Sequence, residues 1–355
     1  MQTESGRETT RAVRGAARTA ERRVTMRDVA KLAGVDVAVV SKVLSGDATL
    51  SVRAETRARV LDAVAKLNYR PNYAARSLRR SRADAFGLIV PDFHNSVYSG
   101  IIDGAQDAAH AMNFALLTVS ASGADADGSR FADLLGNGTI DGLLVAGSAK
   151  ADELVQLFRR SLRPVLSVNR RIPGVDRYVI LDDFSAAERA VRHLVELGHT
   201  RIGHLAGPRD TDTASRRLDG FLAAMAAAGL ELPAAYVMHA DYTARGGYQA
   251  MLSLLQLPDP PKAVLVANVA SALGALSAAR AEGLHVPEDL SVISIHDLDL
   301  AEFASPPLTA VRMPLYEMGR LSVQLLAEAG PDDAVERVVD APVELVVRQS
   351  TAPPA

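Results

Sequence analysis

From Ala85 to the end of the chain one pattern recurs: a short, almost wholly apolar run, then a longer stretch with apolar residues at helical spacing. The runs are Phe86–Val90, Phe114–Val119, Gly142–Ala146, Val165–Val168, Tyr178–Leu181, Ile202–Leu205, Tyr236–His239, Ala263–Ala267 and Val292–Ile295. Runs without polar alternation are strands covered on both faces, as parallel sheets are. The stretches between them include Ala187, Ala190, Val191, Leu194 and Leu197, which share one helical face. Strand and helix in alternation require an α/β architecture. Nine or more strands suit two parallel sheets, with a ligand crevice at the carboxyl ends of the strands.

The first quarter has a different texture. Thr25 is a helix cap, Asp28 sits in the first turn, and Val29, Leu32 and Ala33 share a face that stops at Gly34. A second helix spans about Val37 to Leu44 and ends at Gly46-Asp47. A third, from about Ala54 to Leu67, is expected to bury Val60, Leu61, Val64 and Leu67. Two short helices across a Gly turn, covered by a third, make an all-α helix-turn-helix head.

Charge separates the two parts. Residues 1–82 hold 18 Lys+Arg against 8 Asp+Glu, and the rest holds 21 against 34, so a basic head sits on an acidic body within a net charge of −3. The head is therefore the part suited to a polyanion. Cysteine is absent, which excludes disulfides and thiolate chemistry and fits a reducing cytoplasm. No apolar run is long enough to span a membrane, and the Arg-rich start has no apolar core of a secretory signal.

The expected organisation is a disordered basic tail (1–23), the head (24–69), a linker (70–83), a two-lobed body (84–350) and a short tail (351–355). In the linker Pro71 ends the preceding helix and Asn72 can cap a new one from Ala74 to Leu78. A helix of about two turns is marginal alone, so it forms only when held.

These residues resemble the lactose/galactose repressor family from Thr25 to about Gln349. The head carries the likeness in Asp28-Val29-Ala30, Val40-Ser41-Lys42-Val43-Leu44 and Tyr69-Arg70-Pro71-Asn72. The body carries it in Leu197-Gly198-His199-Thr200-Arg201-Ile202, Leu205-Ala206-Gly207-Pro208, Arg217-Leu218-Asp219-Gly220-Phe221 and Pro307-Leu308-Thr309. The resemblance implies a DNA-binding head, a hinge helix and a core like that of periplasmic sugar-binding proteins. It implies a cytoplasmic, nucleoid-associated homodimeric transcription regulator, a repressor, with no cofactor or metal and no membrane partner. The operator would be near-palindromic, because two-fold symmetry doubles the few base contacts of one head.

By that likeness Thr25, Val37, Ala38, Ser41, Lys42, Tyr69, Asn72, Ala75 and Leu78 face DNA. Lys42 can donate to guanine, Ser41 can bond a base or phosphate, and Val37 and Ala38 offer apolar contact. Leu78 would wedge between base pairs in the minor groove. Asp36 either caps the second helix or accepts from cytosine. Tyr98, Asn169, Thr213, Arg217, Tyr242, Asn268 and His296 would line the effector crevice, a set suited to a sugar or related polar metabolite. The family usually has Asn-Asp where this chain has Asn268-Val269, and an acidic pair where it has His296-Asp297. Losing the carboxylate at 296 points to a less sugar-like or anionic ligand.

Two other classes compete. An α/β enzyme would use a phosphate loop such as Gly136–Gly142, but that segment precedes a strand and suits a helix end and turn. His193, His199 and His204 match no common zinc spacing. A solute-binding or sensor protein without DNA function would lack the basic head.

Overall fold

A computed structural model describes residues 24–44, 52–69, 82–121, 137–147, 163–172, 175–330 and 333–355. The expected tail (1–23) and linker helix, with Asn72, Ala75 and Leu78, lie outside them. The chain divides into two compact units, Met1–Arg80 and Ser81–Ala355.

In the head, α1 (Met26–Ala33) starts at a reciprocal cap between Thr25 and Asp28 and ends at Gly34, whose φ of 64° is left-handed. That backbone suits glycine and permits the tight turn into α2 (Val37–Leu44). Asp36 Oδ1 accepts from the Ala38 amide at 2.7 Å, so the open alternative for Asp36 resolves as a helix cap. Helix α3 (Ala54–Lys66) closes the unit over Val29, Ala33, Val40, Val43, Val60 and Ala63. The three fully buried valines are each worth roughly 1.5–3 kcal/mol. Leu32 and Leu61, expected inside, are 52% and 50% exposed. Leu32 lies directly before the core residue Ala33 and Leu61 directly after the core residue Val60, each one step around the helix, and the face is completed instead by Ala30 and Ala63.

Among the described residues the body has two six-stranded sheets. The first contains β1 (Ala85–Val90), β2 (Ala115–Ser120), β3 (Gly142–Val145), β4 (Val165–Val168), β5 (Arg177–Ile180) and β11 (Val335–Val338), in the order β2-β1-β3-β4-β5-β11, all parallel. The second contains β6 (Ile202–Ala206), β7 (Val237–His239), β8 (Ala263–Val266), β9 (Ser291–Ile295), β10 (Thr309–Arg312) and β12 (Glu344–Val346), in the order β7-β6-β8-β9-β10-β12. Only the β10–β12 pair in that sheet is antiparallel. Helices α4 (Val97–Ala111) and α10 (Leu315–Glu328) pack on the first lobe; α5 (Asp183–Glu196), α6 (Asp212–Ala227), α7 (Ala244–Leu255) and α8 (Val269–Ala281) belong to the second, and α9 (Asp299–Glu302) is a single turn.

The nine expected strands are all present with ends shifted by a residue or so; β7 is preceded by a 3₁₀ turn at Ala234–Tyr236. The chain returns to the first lobe for α10 and β11 before ending in the second with β12. The last residues are not a loose tail. Thr351 Oγ1 meets His193 Nε2 and Thr309 Oγ1, each at 3.0 Å, and the Ala352 carbonyl accepts from His199 Nε2 at 2.8 Å.

Candidate functional site

The loops at the carboxyl ends of strands in both sheets meet at one cleft. β1 leads to Asn95, Val97 and Tyr98, and β4 to Asn169 and Arg170. From the other lobe β6 leads to Thr213 and Arg217, β7 to Tyr242, β8 to Asn268 and β9 to His296. This is where α/β sheets bind ligands, because helix N-termini and loop polar groups converge there while the strands stay rigid. All seven residues expected in the crevice line this cleft, which has a volume of about 20 Å³. Tyr98 stands in the first turn of α4.

Arg217 organises the floor. Its Nε donates to Asp183 Oδ1 at 2.7 Å and its Nη1 to the Ala267 carbonyl at 2.6 Å, while Nη2 lies 2.8 Å from His296 Nε2. Burial opposes the charge of Arg217, but the Asp183 carboxylate overrides it and the guanidinium pKa is raised. Asp183 is fully buried and also receives Nη1 of Arg216, which reaches Asp212 as well. Removing one partner from such a buried group costs several kcal/mol, so the network holds the cleft wall in one geometry.

Arginine has no lone pair to offer, so His296 Nε2 is the acceptor and the ring proton sits on Nδ1. Burial, and then the Arg217 charge, hold the His296 pKa well below the ordinary histidine value. The ring is neutral, and among the described residues its Nδ1 finds no partner. Asn169 Oδ1 and Arg170 Nε are likewise buried and unpartnered. Asn169 and His296 both adopt left-handed backbone, with φ of 70° and 69°. Held strain of this kind, on the order of 1–3 kcal/mol per residue, clusters at binding sites.

The remaining wall is aromatic and hydroxylic. Tyr242 Oη lies 3.0 Å from Thr213 Oγ1, and Arg217 stands 5.9 Å from the Tyr242 ring centre. A side chain at Gly207 would fall 2.3 Å from Tyr242 Oη, so the tyrosine needs glycine there. Asn268 is largely committed to structure: its Oδ1 accepts from the Ser271 amide at 2.9 Å and caps α8, and its Nδ2 donates to the Tyr242 carbonyl at 3.0 Å.

Sequence reasoning missed Asp183, Arg216, Arg170, Asn95 and Val97. The adjacent arginines at 216 and 217 inside an amphipathic helix were a signal, since two guanidiniums on a helix facing the core require a buried carboxylate.

In the head, Thr25, Ala38 and Lys42 are exposed and Val37 and Ser41 half-buried. Tyr69 is 8% exposed and packs into the head core. The three histidines weighed as metal ligands serve structure: His193 and His199 hold the C-terminal segment, and His204 Nδ1 bonds the Leu265 carbonyl at 3.0 Å beneath Phe221. No metal-holding group occurs among the described residues, and no helix among them is long and apolar enough to cross a membrane.

Known proteins match the same two parts. Residues 25–72 match the model for bacterial regulatory proteins of the lacI family, and residues 191–351 match a periplasmic binding protein-like domain. The HTH-type transcriptional repressor CytR of Escherichia coli K12 is 35% identical over 335 residues, covering 93% of this chain and 97% of that protein. The ribose operon repressor of Escherichia coli K12 is 33% identical, covering 85% and 92%. Among crystal structures, a LacI family transcriptional regulator from Mycobacterium smegmatis has 36% identity and a TM-score of 0.72, covering 76% of this chain and 100% of that one. The lac repressor dimer bound to operator and the anti-inducer ONPF has 29% identity and a TM-score of 0.81, covering 93% and 99%.

Proposed function

The chain belongs to the LacI family of bacterial regulatory proteins, and from that premise we propose that a small metabolite in the body's cleft sets how tightly two heads hold an operator. It is a DNA-binding transcriptional regulator with a ligand-binding body, and not an enzyme. One observation carries the reading. Polar side chains from both lobes converge on a single cleft with buried hydrogen-bonding atoms left unmet. Unpaired buried groups cost roughly 1–3 kcal/mol each, so such a cleft is built for an occupant.

Lys42, Ser41, Val37 and Ala38 of α2 read the major groove, with Lys42 donating to guanine. Leu78 intercalates at the centre of a near-palindromic site, and Asn72 and Ala75 belong to the same hinge. The protein acts as a homodimer on chromosomal DNA in the cytoplasm. Ligand binding shifts the lobes and thereby the stability of the hinge helices. A coupling of about 1–3 kcal/mol changes operator affinity roughly five- to 150-fold.

Deleting residues 1–82 tests the division of labour. DNA binding should vanish while ligand binding by the body survives; DNA binding by the truncated body would refute it.

A further inference from the structure

The charge of the cleft differs from what a neutral sugar needs. Two guanidiniums, Arg170 and Arg217, line it, and among the described residues no carboxylate does. The nearest acid, Asp183, stands behind the wall and is shared by Arg216 and Arg217. Asp212 is shared by Arg216 and Arg171, so two carboxylates meet three guanidiniums and no negative charge is left over for the cleft. Arg170 adds a further cation. Among the described residues it pairs with no carboxylate, and its Nε is buried without a partner.

Arg170 is also held in place. A side chain at Gly147 would lie 2.3 Å from the Arg170 guanidinium carbon, so the guanidinium rests directly on the glycine backbone beyond β3. Its other neighbour is the Tyr98 hydroxyl, which Asn169 also bonds. From the opposite lobe His296 presents a buried, unpartnered Nδ1–H, since its Nε2 already accepts from Arg217. A carboxylate at 296 would take hydrogen bonds from hydroxyl groups; this imidazole gives one. The N-termini of α4, α6 and α8 end at the same space, through Val97, Thr213 and Asn268, and add positive potential.

We infer that the cleft takes a small organic anion, its charged oxygens received by the Arg170 guanidinium and the His296 Nδ1–H. Asn169 Oδ1, an unmet acceptor, takes a hydroxyl or amide hydrogen from the same molecule. This rests on the reading of the cleft as the effector site and adds the ligand's charge. A phosphate ester and a carboxylic acid share the chemistry and differ in which simple anion mimics them.

Thermal unfolding of the full chain is measured with about 50 mM inorganic phosphate, acetate or ribose against chloride of equal ionic strength, where an occupant of the folded state raises the midpoint by mass action. Phosphate or acetate should stabilise beyond chloride and beyond ribose. The larger response tells a phosphorylated ligand from a carboxylic acid. Arg170→Gln should weaken that anion's binding roughly tenfold or more, the worth of a charge-assisted hydrogen bond. Arg170→Lys should retain most of it, which separates lost charge from misfolding. Equal anion responses in wild type and Arg170→Gln, or a ribose response above both anions, overturn the inference. Operator affinity is read in the same samples. DNA affinity that changes with ribose and not with an anion sinks the inference and leaves the regulator standing. An anion bound through Arg170 with no effect on DNA sinks the regulator and leaves the charge assignment.

Discussion

Arg217 and His296 are joined by a 2.8 Å hydrogen bond in which the guanidinium gives and the imidazole receives, and this leaves the far ring nitrogen as a buried donor. The identity of residue 296 therefore sets whether the cleft gives or takes a proton at that point.

His296→Asp should reverse it. The new carboxylate accepts from Arg217 and from ligand hydroxyls, and repels an anion. Relative affinity for phosphate over ribose should fall about tenfold or more, equivalent to roughly 1.4 kcal/mol. Isothermal calorimetry on both ligands checks this, and an unchanged ratio contradicts the donor role.

Arg217→Ala should abolish the metabolite response and also weaken the fold, because Asp183 is fully buried and loses one of its two guanidiniums. The expected loss is roughly 3–5 kcal/mol in urea unfolding. Adding Asp183→Ala should recover part of it, since an unpaired buried charge is what costs most. A double variant as weak as the sum of the singles would refute the coupling.

Gly207→Ala should force Tyr242 away from Thr213 and cost about 1–3 kcal/mol from overcrowding. Ligand affinity should drop while operator binding without ligand is preserved. Unaltered ligand affinity would mean that Tyr242 only fills space.

Acid should destabilise the body. Burial lowers the pKa of His193, His199, His204 and His296, and takes His204 to about 4 from 6.5. Between those two values the unfolded chain binds the proton and the folded chain does not, so stability is complete above about 6.5 and declines as pH falls toward 4. For His204 alone the loss amounts to about 3 kcal/mol. Melting points taken from pH 7.5 to 4.5 should decrease steadily; a flat profile would contradict neutral buried imidazoles.

What could be read in the chain follows from how each segment is buried. β1 and β8 are covered on both faces and so appear as unbroken apolar runs. β11 and β12 lie at sheet edges, carry Glu336, Arg337 and Glu344, and pair with partners far away in sequence, so no local pattern marks them. Leu32 and Leu61 misled because an apolar side chain beside a core position need not be inside. All seven crevice residues were found through family likeness, but Asp183 and Arg170 were not. Their roles come from long-range pairing, with Arg216 and Arg217 and with Gly147, that sequence spacing does not reveal. Tyr69, placed at DNA by family likeness, has its ring in the head core, a packing role that the likeness does not reveal.

The central claim is that the cleft governs sequence-specific DNA binding. The direct measurement is fluorescence anisotropy of the full chain on fragments selected from its own genome, across a salt series, with and without a ligand that requires Arg217. The account predicts one near-palindromic site bound about 10³-fold or more above random DNA, an affinity that falls steeply with salt, and a roughly five- to 150-fold change when the cleft is filled. Equal affinity for all sequences, or a specific complex indifferent to the ligand, would contradict it.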